Sequence, residues 1–494
     1  VSAEVPAARP AAPTARQSLY LYGTAIVLTI IAALGSAFTS LGLLAIVGGA
    51  AFALLLLFMW ARPTSILWLV IIGFALQPDL KFFISSYFGP AKDIIAIAAI
   101  IVTAIYVGGR RRRRQLSCDP WIVSGMLAVI ALYLIDVGGS HDGVWQSAVR
   151  PVIEAFGLFL CGYVFLRTDD AWRVCVRAML AMGLLEAVTG ILDQLVGGAF
   201  LANTLGFPYN EVVIQVGPVL RSFGTQLDPF NYAAMTALTI PFAFFTMGEH
   251  RRRQATAIGL LAIGVVCAFI RTSAGIGLGL ILLGLVRAGR AATAGFVLAA
   301  TVLVLVAYLV NAQSAGPGPS TAATLNGRTT EWARVFHPEV LLAGAGVGQF
   351  GSGADRQLQG AIISVQKQGQ QSQDQPSTTA AATSIDSSYL ALISDVGLPG
   401  LLLVLAVFAR IVAIGLAAIR IDSTAGSVLL GMVLVVAIDG VTRSSLTQFP
   451  FGPIALLAIG VAVAACERVL AENRRRAAAP SELFIGYGSG ASRP

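Results

Sequence analysis

Charge is scarce in this chain. Asp, Glu, Lys and Arg together make up only 12% of its 494 residues, about half the share a soluble domain carries. Hydrophobic residues account for 56%, and mean hydropathy is +0.79. A soluble chain of this length would build about two or three domains, and there is no polar surface here to cover their cores. Amphipathic stripes are missing as well. The apolar residues come in runs of roughly 16–22, the length a bilayer demands. These absences exclude a soluble protein and leave an all-α polytopic membrane protein.

Histidine and cysteine are rare too. The three histidines and five cysteines nowhere show zinc-ligand spacing. Cys118 and Cys175 fall in connections, and Cys161, Cys267 and Cys466 fall within apolar runs, so no disulfide framework is expected. No D-x-D triplet occurs, and nothing in the chain calls for a metal or a cofactor. The excess of cations, +8 with an isoelectric point of 9.5, does not point to nucleic acid. Arg110–Arg114, Arg251–Arg253 and Arg474–Arg476 gather at the ends of apolar runs, the placement that sets membrane topology.

The runs predict about fourteen crossings. The first half has them near Ser18–Gly35, Leu41–Trp60, Pro63–Gln77, Asp93–Gly109, Trp121–Val137, Pro151–Leu166 and Ala178–Val196. The second half has them near Pro229–Met247, Ala255–Ile270, Ser273–Val286, Ala291–Val310, Asp395–Ile419, Ala425–Val441 and Pro453–Val469. Alternate connections carry Arg62, Arg110–Arg114, Arg167/Arg173/Arg177, Arg251–Arg253, Arg287/Arg290, Arg420 and Arg474–Arg476. By the positive-inside rule that shared side is the cytoplasm, which puts both termini there and the protein in a bacterial inner membrane. Val1–Gln17 and Ala477–Pro494 read as disordered cytoplasmic tails, the latter following the basic end of the last run. The order of residues in the first tail is not that of a cleaved signal, so the first run is expected to be retained.

Two external connections are long: about Gly197 to Asp228, and about Asn311 to Ser394. A loop of the second length is functional, disordered or both. Its ends, Asn311–Ala323 and Gln366–Thr383, have flexible compositions, while Gly327–Phe350 and Gln357–Val365 carry apolar residues. Ala343–Gly353 is too glycine-rich for a helix; it reads as a turn against the membrane or as a phosphate-cradling loop. Positive-inside sorting should deplete arginine on this face, yet Arg150, Arg221, Arg271, Arg328, Arg334, Arg356 and Arg443 all fall there. Any one of them can be explained by lipid-headgroup pairing. Together they predict a convergent anion site, because guanidinium forks grip phosphate oxygens in pairs. Among the acids in apolar runs, Glu154, Glu186, Asp193 and Asp439 are expected to pair structurally with Arg150, Arg177 or Arg443.

Four stretches then resemble the O-antigen ligase and polysaccharide polymerase superfamily of bacterial envelope glycosyltransferases. They are Arg221-Ser-Phe-Gly-Thr-Gln-Leu-Asp-Pro-Phe-Asn231, Arg271-Thr-Ser-Ala-Gly275, Gly327-Arg328-Thr-Thr-Glu-Trp332 with Leu341–Phe350, and Asp386-Ser-Ser-Tyr-Leu390 before Asp395–Gly400. The resemblance covers about Arg221 to Gly400 and rests on the order and spacing of the stretches. It implies a GT-C-like bundle with one large periplasmic loop and a polyprenyl-pyrophosphate-linked oligosaccharide as glycosyl donor. The acceptor would be a glycan or a lipid-linked chain, and membrane lipids the surroundings. On the resemblance, Arg221, Arg328 and Arg271 bind the pyrophosphate and Asp386 stands where many ligases have a histidine, as the catalytic base. Arg150, Arg334, Tyr389 and Arg443 would be supporting residues. Aspartate at the base position favours a polymerase over a ligase. The implied reaction is a metal-independent, inverting transfer in a dry, cationic site. The rival class is a transporter, above all a lipid-linked-oligosaccharide flippase, which would share the span count and the lipid partner.

Overall fold

In a computed structural model the described residues are 42–84, 88–111, 118–136, 139, 143–204, 215–216, 219–246, 251–287, 333, 335–349, 387–421 and 423–478. They are almost wholly helical: α1 (Gly42–Ala61), α2 (Ser65–Asp79), α3 (Ala91–Arg111), α4 (Pro120–Ile135), α5 (Gly143–Leu160) and α6 (Asp169–Asn203) come first. After these follow α7 (Pro229–Thr246), α8 (Arg251–Cys267), α9 (Arg271–Arg287), the short α10 (Pro338–Ala343), α11 (Ser388–Ile419), α12 (Thr424–Thr442) and α13 (Phe451–Ala478). Gln215–Val216 and Val219–Leu220 add one small antiparallel ribbon. The expected runs at Ser18–Gly35 and Ala291–Val310 lie outside the described residues; each of the others coincides with a helix. Among the described residues, seven helices are long and apolar enough to cross a membrane: Ser65–Ile84, Ala91–Gly109, Trp145–Phe165, Asp169–Gly198, Ser388–Ile419, Thr424–Thr442 and Phe451–Ala477. The chain is a multi-pass helical membrane protein.

The helix starts follow capping chemistry. Asp119 accepts from the Trp121 N–H at 2.9 Å with Pro120 in the first turn, Thr168 accepts from Ala171, and Ser423 from Gly426. Inside the bundle, α13 is the axis. From Phe451 to Cys466 it is buried, packed by α5, α11 and α12, with α2, α6 and α7 beyond. Glycine permits the tightest of these approaches. A Cβ at Gly162 would lie 2.4 Å from the Leu457 carbonyl oxygen, and one at Gly460 would lie 2.4 Å from that of Phe159. Small residues at such crossings let backbones pack closely where no hydrophobic effect drives helices together. Leu54, Leu195, Leu402 and Trp121 face outward instead, as side chains in lipid do.

The helix ends sort into two groups. At one, here the upper end, α2, α4, α6 and α12 finish while α3, α5, α7, α11 and α13 begin. There Tyr133 donates to Asp395, Lys92 meets Glu154, and Asn231 donates to the Phe449 carbonyl. At the lower end Arg167 pairs with Glu467 at 2.7 Å, Arg410 with Asp119 at 2.7 Å, and Arg468 with Asp169. Among the described residues these helices therefore run alternately up and down.

Among the described residues, two helices break where glycine takes a positive φ: α6 at Gly197 (φ 76°) and α11 at Gly397 (φ 74°). The second break seats the glycine-rich turn after α10. A Cβ at Gly344 would meet the Asp395 carbonyl oxygen at 2.6 Å, and one at Gly397 would meet that of Leu342 at 2.7 Å. Val347 N–H donates to Asp136 at 2.8 Å and Gly348 N–H to Asp395 at 3.0 Å. Those two amides are therefore engaged by the protein's own carboxylates, as a structural turn would have it.

Candidate functional site

The upper end gathers the Arg221–Asn231 stretch into a loop bolted down by acids. Glu186, wholly buried on α6, accepts from the Thr225 N–H at 3.1 Å, the Thr225 hydroxyl at 2.5 Å and the Gln226 amide. Two turns further along, Asp193 accepts from the N–H groups of Phe223 (3.1 Å) and Gly224 (2.9 Å). The Ala75 carbonyl of α2 takes a second bond from each of Thr225 and Gln226, at 3.0 and 3.1 Å. Ser222 is held by its hydroxyl to the Gly190 carbonyl (2.6 Å) and by its N–H to the Cys267 carbonyl (3.0 Å). Asp228 then caps α7 through the N–H groups of Phe230 and Asn231, both at 3.1 Å. The expected arginine partners of Glu186 and Asp193 are thus corrected. Their carboxyl oxygens are met by neutral donors of the loop, because the chain returns across α6 there and turns a run of backbone N–H groups toward them. Glu154 and Asp439 do pair as expected, with Arg150 at 3.1 Å and Arg443 at 3.6 Å.

Cations converge beside this loop. The guanidinium carbon of Arg221 lies 5.7 Å from the centre of the Phe230 ring, and that of Arg443 lies 5.6 Å from the same ring. Arg443 also donates to the Phe230 carbonyl (2.5 Å), to Asn231 Oδ1 (2.8 Å) and to Gln448 Oε1 (2.6 Å). Next to Gln448, the Phe449 ring carries the Lys92 ammonium 4.2 Å from its centre. Lys92 is backed by Asp93 at 3.2 Å and Glu154 at 3.3 Å. The N-terminus of α11 completes the patch: Ser388 donates from its N–H and its hydroxyl to the Arg443 carbonyl, both at 2.8 Å. A patch of this kind offers positive charge, planar donors and apolar ring faces at a helix-bundle end, which suits an anion attached to a lipid.

The sequence-expected residues divide accordingly. Arg221 and Arg443 come together on Phe230. Arg150 is half-exposed and bound to both Asp93 and Glu154, so its charge is already matched. Tyr389 points its hydroxyl at the Ala437 carbonyl, 2.7 Å away, and ties α11 to α12. Arg271 begins α9, and its side chain lies outside the described residues, as do Arg328, Arg334, Arg356 and Asp386. Sequence reasoning passed over Lys92, Asn231 and Gln448. The signal for Lys92 was available, since lysine is as anomalous on this face as arginine. Gln448 had none, being an ordinary polar residue in a short connection.

No protein-family model matches the sequence. No solved structure matches it either. A stretch of 160 residues is 26% identical to a sodium/glucose cotransporter of Vibrio parahaemolyticus, covering 29% of this chain and 29% of that protein. The similarity therefore spans less than a third of the cotransporter.

Proposed function

We propose that the chain is a metal-independent glycosyltransferase of the O-antigen ligase and polysaccharide polymerase type, with polymerase favoured over ligase. In this reading it crosses a bacterial inner membrane about fourteen times, its upper end is periplasmic, and both termini are cytoplasmic. The observation that carries the reading is the meeting of Arg221 and Arg443 on one phenylalanine ring, with Lys92 on the next ring.

The chemistry needs those groups in those roles. The donor sugar is linked through pyrophosphate, and negative charge grows on that leaving group as the anomeric C–O bond breaks. Arg221, Arg443, Lys92 and, by the resemblance, Arg328 and Arg271 offset it, an effect that is strong where water is excluded. The acceptor hydroxyl oxygen forms the new bond to the anomeric carbon from the opposite face, and its proton passes to the Asp386 carboxylate and then to water. The products are a glycan longer by the transferred unit and a polyprenyl pyrophosphate. In the sequence Asp386 stands two residues before Ser388, whose hydroxyl donates to the Arg443 carbonyl.

The transporter reading has observations of its own: the partial similarity to a cotransporter and the breaks of α6 and α11 at Gly197 and Gly397. Reconstituted protein supplied with lipid-linked oligosaccharide separates the two. Transfer predicts polymer growth together with released polyprenyl pyrophosphate, slowed about 10²–10⁴-fold in Asp386→Asn. Absence of both products from the wild-type protein would overturn the enzyme reading.

A further inference from the structure

We infer that Glu186 and Asp193 are positioning residues that hold Arg221 at the anion site, an assignment that rests on the glycosyltransferase reading for its functional readout. Both acids are buried in α6, and neither has a hydrogen bond from a cation among the described residues. Their bonds all come from one loop. The backbone N–H groups of three successive residues, Phe223, Gly224 and Thr225, point at these two carboxylates. Consecutive amides turned to one side form a cradle for anions, and here the protein fills that cradle with its own carboxylates.

The geometry admits little slack. Gly224 has φ +53°, and a Cβ there would fall 2.4 Å from Glu186 Oε2 and 2.6 Å from the Tyr232 ring. Upstream, Ser222 is fastened to α6 and α8, so Arg221 leaves the clamp with its backbone direction set. Downstream, Asp228 fixes the first turn of α7, and with it the Phe230 ring on which Arg221 and Arg443 meet. Two carboxyl groups that between them accept from three consecutive amides fix the direction of that turn more firmly than solvent would. Glu186 and Asp193 therefore act on the ligand through Arg221 without touching it.

The full chain in lipid nanodiscs tests this with an unsubstituted polyprenyl diphosphate as the probe. Glu186→Gln and Arg221→Ala should each weaken binding about tenfold or more, and the double variant should bind no more weakly than Arg221→Ala alone. If the two losses multiply, Glu186 does not work through Arg221 and the inference fails. Amide hydrogen exchange gives a readout that needs no ligand. The Phe223, Gly224 and Thr225 amides should exchange about tenfold faster in Glu186→Gln and Asp193→Asn, with the exchange of α13 unchanged. Unchanged protection of those amides would also overturn the clamp. A wild-type chain that fails to bind the probe sinks the donor assignment, and the exchange experiment still decides whether the acids hold the loop.

Discussion

At the lower end of the bundle, Arg167 reaches Glu467, Tyr163 donates to the same carboxylate at 2.7 Å, and Arg410 grips Asp119. At the upper end, Arg221 and Arg443 lie against one aromatic ring and Arg443 spends its donors on a carbonyl and two side-chain amides. Both ends are rich in cations, yet they use them differently. Below, each of these cations answers an acid from another part of the chain, so the pairs tie the connection after α5 to α13 and α11 to the start of α4. Above, Lys92 and Arg150 also meet acids, but Arg443 gives its close hydrogen bonds to neutral oxygens while Asp439 stands off at 3.6 Å, and an arriving anion competes for such donors better than for those bonded to carboxylates. A guanidinium hydrogen-bonded to a carboxylate suits a fixed structure; one hydrogen-bonded to neutral oxygens suits a ligand.

The contrast breaks most sharply at Arg443. Arg443→Lys keeps the charge but cannot reach the Phe230 carbonyl, Asn231 and Gln448 together. Transfer in reconstituted vesicles should fall about 10²–10³-fold, the cost of losing one well-placed donor to a developing anion. Turnover near the wild-type rate would make Arg443 a tie of the lower-end kind.

Next in size is the glycine seat on α11. Gly397→Ala puts a Cβ where φ is +74° and the Leu342 carbonyl oxygen is 2.7 Å away. The expected loss is about 1–3 kcal/mol of stability, read from thermal unfolding in detergent. Transfer should fall with it, because the turn after α10 loses its seat. Gly259→Ala on α8, where nothing lies within 4 Å of the added carbon, should change neither quantity. An equal loss in both variants would mean that helix glycines as such, and not this seat, set the stability.

How far the sequence reveals each end follows from the physics involved. Crossings are readable because the bilayer imposes one length and one polarity on every span, and the arginine alternation adds direction. Runs at Trp121–Val137 and Pro453–Val469 accordingly meet α4 and α13 within a few residues at their starts. The anomalous cations of the upper face were readable for the same reason. What they do there was not. Arg150 and Lys92 look alike in sequence, but a pair of acids on α3 and α5 engages both while only Lys92 also reaches a ring. The partners of Glu186 were equally hidden, because a loop some 40 residues away supplies them through backbone N–H groups that every sequence possesses.

A smaller effect sharpens the comparison from below. Tyr163→Phe removes the hydroxyl that donates to Glu467 and accepts from the Asp119 N–H, each at 2.7 Å. Unfolding in detergent should show a loss of about 1–2 kcal/mol. Transfer by the protein that remains folded should stay within twofold of wild type, since a tie at this end touches no ligand. A large fall in transfer with stability preserved would place the lower end in the reaction.

The smallest expected effect is the most decisive between the two functional classes. A transporter must part its lower end to release cargo, whereas a transferase working at the upper end never needs to. Arg410 holds Asp119, which adjoins Cys118 in the connection between α3 and α4. In Arg410→Cys, a short bis-maleimide can therefore link α11 to that connection through Cys118. Burial pushes the Cys118 thiol above its ordinary value, and Arg167 beside it offsets only part of that rise. The thiolate is the reacting form, so labelling should be slow at neutral pH and quicken as pH is raised towards about 9. Transfer should be unchanged once the link is made, measured against the unlinked Arg410→Cys protein so that the lost ion pair cancels out. A linked protein that still extends polymer has its lower end shut throughout the cycle. Abolished transfer, restored by a longer and flexible linker, would show instead that the lower end must open during the cycle, as in an alternating-access protein, and would overturn the view that transfer needs the upper end alone.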